Sequence, residues 1–183
     1  MALNWTMIDE SRRYVPLQDE RNVMNVDQAE LLLIVPGEVG GASNPKRLKE
    51  NGSIWLTDQR LIFVKTGSGD SLIDTLSVPL LSVLSTSFVQ PTFAANYLAI
   101  DIRPSVGGGL TEGTKAEIRF KDHPMFGFVS ALDKLRERAV FMKRESAYLG
   151  EDLPMYSSQA ASGANSPRAS TIAPVEPPPG YDA

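Results

Sequence analysis

The hydrophobic period of this chain changes near residue 122. Upstream, short apolar stretches are separated by polar, glycine or proline breaks. Downstream, Phe128, Leu132, Leu135, Ala139 and Met142 are spaced four, three, four and three residues apart. That spacing lines one stripe of an α-helix of about five turns. Asp122 and Pro124 supply a start signal for it. Lys134, Arg136, Arg138, Lys143 and Arg144 fill its other faces. Lys143 and Arg144 are expected in the last turn, where they complement the helix dipole.

The upstream stretches read as β-strands. Leu31 to Val35 is an apolar run ended by Pro36-Gly37. A glycine-rich loop with Lys46, Arg47 and Lys49 is expected from Glu38 to Asn51. Ser53 to Thr57 and Arg60 to Val64 flank the polar pair Asp58-Gln59, which predicts a hairpin. Further strands are expected at Ser71 to Leu76, Leu80 to Ser85, Tyr97 to Ile102 and Ala116 to Phe120. In the last two, alternate residues share a face: Leu98, Ile100 and Ile102, then Ile118 and Phe120. About seven short strands and one amphipathic helix predict a mostly β fold. The sheet would be antiparallel, or a partly open barrel, closed by the C-terminal helix.

Three regions follow. Residues 1–27 are polar without sustained periodicity and are expected to form an extended N-terminal arm. Residues 28–148 hold the strands and helix. Residues 149–183 form a tail. From Ser157 onward the tail has no Phe, Trp, Leu or Met, and Tyr181 is its one aromatic residue. It cannot bury enough surface to offset its ordering entropy, so disorder is expected.

Composition narrows the function classes. The 183 residues contain no cysteine, so disulfides, thiolate zinc sites and cysteine nucleophiles are excluded. Absent cysteines and a missing N-terminal apolar segment fit an intracellular protein, cytoplasmic and/or nuclear. Net charge is −4, and up to residue 150 the 17 basic and 18 acidic residues nearly cancel. A chain with no broad basic face is not expected to bind nucleic acid directly. His123 is the only histidine. No metal site, cofactor site or nucleophile–base pair can be assembled, so no enzymatic activity is expected. The glycines at 37, 40 and 41, and at 107 to 109, lack the Lys-Ser/Thr of a P-loop and read as turns.

The tail carries the sharpest motif. Pro178-Pro179-Gly180-Tyr181 is a Pro-Pro-x-Tyr sequence, the ligand form read by WW domains. Its prolines fix φ near polyproline II, so little entropy is lost on docking into an aromatic groove. Leu153-Pro154-Met155-Tyr156 is a weaker version, with leucine replacing the first proline. Ser166-Pro167 has the form of a proline-directed phosphorylation site. Lys46, Arg47 and Lys49 could attract an anionic leaflet, or could form an ordinary solvated loop.

Gly52-x-x-x-Leu56-Thr57-x-x-Arg60-x-x-Phe63 resembles the hairpin signature of GRAM domains, which have the pleckstrin-homology-like fold. Together with the Met1-Ala2-Leu3-Asn4 start, Gln90-Pro91-Thr92-Phe93-Ala94-Ala95-Asn96-Tyr97 and the Pro-Pro-x-Tyr motif, it resembles the WW-domain-binding protein 2 family. The resemblance implies an adaptor with WW-domain partners, either HECT-type ubiquitin ligases or transcriptional regulators, and a role in transcriptional coactivation. Animal members have long tails with several Pro-Pro-x-Tyr copies; this chain has one. In such folds the loop holding Lys46, Arg47 and Lys49 often faces a phosphoinositide headgroup. The competing function is therefore a membrane-binding module in which the tail is secondary.

Overall fold

The computed structural model describes residues 2–37, 44–67, 69, 71–121 and 124–149. The chain divides into Met1–Gly150 and Glu151–Ala183, and every described residue lies in the first unit.

Eight strands and one long helix form in chain order: β1 Ala2–Leu3, β2 Asn22–Val35, β3 Lys46–Thr57, β4 Arg60–Lys65, β5 Thr75–Pro79, β6 Val83–Val89, β7 Tyr97–Ile102, β8 Lys115–Phe120 and α1 Met125–Leu149. They make one sheet in the order β1-β5-β4-β3-β2-β8-β7-β6, and every paired strand is antiparallel. With β1 only two residues long, seven full strands curl into a half-barrel that α1 closes. The expected mostly β architecture is the observed one.

Alternation decides the core. Val26, Leu31 and Leu33 of β2, Ile54 and Leu56 of β3, Leu61 and Phe63 of β4, and Leu98, Ile100 and Ile102 of β7 bury their side chains in a single cluster. The first half of α1 enters that cluster through Met125, Phe128 and Leu132. Phe128 meets Phe120 edge to face with ring centroids 5.0 Å apart. Arg136 fastens the helix to the sheet by donating from Nε to the Val83 carbonyl at 2.9 Å.

The Ser53–Val64 hairpin forms as expected. Thr57 and Arg60 flank the two-residue turn, and Leu56 pairs with Leu61. Strands β7 and β8 also match their expected spans, to within one residue.

Elsewhere the structure differs from the sequence reading. The strand expected at Ser71 to Leu76 begins only at Thr75, and Leu80–Ser82 is a 3-10 turn that precedes β6. Leu72 is exposed there, so the apolar run Leu72-Ile73 is not a strand face. The expected loop through Asn51 is also too long: Lys46 to Asn51 belong to β3, paired with Val35 to Glu30 of β2. Met142 at the end of the helical stripe is 54% exposed, because α1 outruns the barrel beneath it. Since α1 continues to Leu149, Lys143 and Arg144 lie short of its last turn.

The N-terminal arm differs most. Its last residues, from Asn22, open β2. Of the remainder, β1 extends the sheet edge beside β5 with Leu3 packed against the core, and the residues after it dock on the sheet through side-chain contacts. Leu3 pairs with Leu76, and the Asn4 side chain accepts from the backbone N–H groups of Asp74 and Thr75. Arg12 donates to the Asp74 carboxylate and to the Lys65 carbonyl. Strand β4 is consequently buried on both faces: Leu61 and Phe63 by the core, Ile62 and Val64 under the arm.

Candidate functional site

Three surfaces were marked by sequence: the signature hairpin, the cations of β3 and the tail. The tail residues Leu153, Pro154, Tyr156, Ser166, Pro178, Pro179 and Tyr181 lie outside the described residues, as do Asp122 and His123.

The signature hairpin is architectural. A Cβ on Gly52 would lie 2.2 Å from the Val64 carbonyl oxygen and 2.6 Å from Cζ of Phe63, so only glycine fits where β3 crosses the Phe63 ring. Leu56 and Phe63 are core residues. The Thr57 hydroxyl accepts from the backbone N–H groups of Gln59 and Arg60 at 3.2 and 2.9 Å, which fixes the turn. Arg60 then clamps the arm. Its Nε and one terminal nitrogen donate to the two oxygens of Glu20 at 2.8 and 2.9 Å. Burial raises the proton affinity of Glu20, but hydrogen bonds from Arg60, the Leu17 N–H and the Thr57 hydroxyl outweigh it and hold the carboxyl below its ordinary range. Burial, and then the Glu20 charge, push the nearby Tyr14 hydroxyl upward.

The cations of β3 are split by pairing. Lys49 Nζ lies 2.8 Å from Glu30 Oε2, and Glu30 also meets Arg119 at 3.4 Å. The Lys49 hydrogen bond is the main reason the Glu30 carboxyl is held low. Lys46 and Arg47 are exposed and have no ion-pair partner among the described residues. Arg47 pairs with Ile34, and Lys115 of β8 pairs with Ile34 from the other side. Lys115 itself contacts Asp101 at 3.3 Å. The β7–β8 connection reaches the same end of the sheet, where Thr111 donates to the Pro36 carbonyl at 3.1 Å. It carries the exposed Arg103 and the fully exposed Val106. Sequence reasoning missed Lys115, because only strand pairing brings it to the other side of Ile34 from Arg47.

Among the described residues, no group of His, Asp or Glu is placed to hold a metal ion. No helix among them is long and apolar enough to cross a membrane.

A half-barrel of seven antiparallel strands closed by a C-terminal helix is a PH-like fold. The Vps36 N-terminal PH domain has the same architecture, with a TM-score of 0.57 and 12% sequence identity over 76% of this chain and 96% of that domain. At that identity the likeness shows the fold alone. A UPF0664 stress-induced protein of Schizosaccharomyces pombe is 30% identical over 87 residues, which are 48% of this chain and 49% of that protein. The match therefore spans about half the length of that curated relative. No family model matches the sequence.

Proposed function

We propose that this protein is a non-enzymatic adaptor of the WW-domain-binding protein 2 type, built on a GRAM variant of the PH-like fold. It recruits WW-domain proteins through Pro178, Pro179 and Tyr181. The carrying observation is the Pro-Pro-x-Tyr motif itself, in a segment whose composition cannot build a core. The GRAM-type signature supports the reading, since Gly52, Thr57, Arg60 and Phe63 all have architectural work in the hairpin. Partners are HECT-type ubiquitin ligases or transcriptional regulators, met in the cytoplasm, the nucleus or both. Leu153-Pro154-Met155-Tyr156 acts as a second, weaker ligand, and Ser166 as a phosphorylation site that makes the tail more acidic. Affinity capture with wild-type and Tyr181→Ala baits tests the proposal. It fails if both baits retain the same WW-domain proteins in equal amounts.

A second reading rests on Lys46 and Arg47 of β3, which are exposed and have no ion-pair partner among the described residues. Two adjacent exposed cations suit an anionic, phosphoinositide-containing membrane. Lys46→Glu with Arg47→Glu should then abolish pelleting with phosphoinositide liposomes without lowering the melting temperature. Lys49→Glu is the poorer probe, because it also removes the partner of Glu30. Full retention by the double variant rejects the patch.

A further inference from the structure

Helix α1 leaves the barrel before it ends. Ala139 is the last of its hydrophobic residues packed against the core, and Phe141 to Tyr148 are all exposed. Three of these are large: Phe141 is 64% exposed and Tyr148 77%, with Met142 between them. A single helical stretch this short is marginal in water unless something packs against it.

The outward face of the overhang has its own pattern. Arg136, Glu137, Val140, Phe141 and Arg144 line a hollow of about 290 Å³ along the helix. Arg136 is already engaged, donating to the Val83 and Leu84 carbonyls. The other four fall at i, i+3, i+4 and i+7, so they share one face over two turns. By helical period that face lies opposite Phe128 and Leu132, which enter the core. Val140 and Phe141 are its apolar centre. Glu137 is its negative end and Arg144 its positive end, and neither has an ion-pair partner among the described residues.

We propose that this face pairs with the same face of a second copy of the chain, the two helices running antiparallel. The order of its charges selects that occupant. A two-fold axis between Val140 and Phe141 sets the apolar centres against each other. It also sets Glu137 of each copy against Arg144 of the other, so the face is its own complement. A parallel pair would oppose Glu137 with Glu137 and Arg144 with Arg144, so the same charges reject that orientation. A wholly acidic partner would be repelled at Glu137, and a wholly basic one at Arg144. Sterics agree, because each core lies on the side of its α1 away from the shared face, which leaves both barrels on the outside. Two or three turns of helix make a small interface, so the dimer is weak and depends on concentration. It is separate from recruitment through Tyr181.

The test is sedimentation equilibrium on the full chain. Wild type should show a monomer–dimer equilibrium with a dissociation constant of order 100 μM. Glu137→Lys should weaken it about tenfold, since two cations then oppose Arg144 across the axis, and Arg144→Glu should do the same. The double variant Glu137→Lys with Arg144→Glu restores both opposite-charge contacts and should return to within about twofold of wild type. Phe141→Ser should weaken the dimer without charge rescue. All these positions are exposed, so melting temperatures at low concentration should match wild type. Tyr181→Ala should leave the equilibrium unchanged. A wild-type chain still monomeric at about 1 mM overturns the proposal. So does a dimer that Glu137→Lys and Arg144→Glu leave intact, or a double variant no better than either single one.

Discussion

Glu20 and Arg60 form a bidentate ion pair with the carboxylate side chain wholly inaccessible and the arginine 11% exposed. It joins residues forty positions apart and pins the N-terminal arm to the strand that follows the signature turn. Removing one partner leaves a buried charge uncompensated, so Arg60→Ala should cost about 3–5 kcal/mol. Chemical denaturation checks this. A loss within about 0.5 kcal/mol would mean that the arm is not clamped there.

The same pair gives stability a pH dependence. Glu20 titrates lower in the fold than in the unfolded chain, whose carboxyl lies near ~4.3. Its contribution is therefore complete above that value and is lost as pH falls through the depressed folded pKa. Glu30 and Asp101, held down chiefly by Lys49 and Ser85, act in the same direction. Melting temperature should fall as pH drops below about 4.5, and less steeply in Glu20→Gln, although that variant starts from lower stability. Equal slopes below pH 5 would remove Glu20 from the account.

Gly52→Ala and Gly127→Ala should have opposite signs. At Gly52 the new methyl meets backbone and an aromatic ring, so a loss of more than about 2 kcal/mol is expected. At Gly127, in the first turns of α1, it meets nothing within 4 Å and should stabilise by about 0.5–1 kcal/mol. Thermal melts of the two variants decide it.

Along the α1 stripe, burial rather than spacing sets the cost of a charge. Leu132 is fully buried, and Leu132→Asp should abolish cooperative folding. Met142→Asp, on the overhanging half, should stay within about 0.5 kcal/mol of wild type. If Met142→Asp proves as damaging as Leu132→Asp, another surface covers the helix end.

For the proposed adaptor role, Tyr181→Ala should weaken a single WW domain about thirtyfold, the loss of an aromatic anchor worth ~2 kcal/mol. Melting temperature should not move. Phosphorylated Tyr181 should match the variant, since a doubly charged group would enter an apolar pocket. Calorimetry with an isolated WW domain reads both, and identical titrations for wild type and Tyr181→Ala would end the motif assignment.

Local pattern alone was enough for several elements. Asp58-Gln59 between two apolar runs, the alternation in Tyr97–Ile102, and the stripe from Phe128 each report which neighbours share a face, a property of short stretches. Those elements formed where expected. Their order predicted a mostly β fold closed by a helix, and the PH-like class was what the resemblance of Gly52 to Phe63 to GRAM domains implied. What residues 2–21 do was not readable, because their anchors are isolated residues scattered along the arm: Asn4 on Asp74 and Thr75, Arg12 on Asp74, Glu20 on Arg60. Such contacts leave no period. Likewise Lys46, Arg47 and Lys49 were equal as a run of cations, and only strand pairing made Lys49 a partner of Glu30 while leaving Arg47 beside Ile34. The sequence determined the Ser53–Val64 hairpin, β7, β8, the helix and the Pro-Pro-x-Tyr motif, since each depends on residues close along the chain. Tertiary structure decided where the arm lies, which cations stay unpaired and where the barrel beneath α1 ends, since each depends on how distant strands are brought into register.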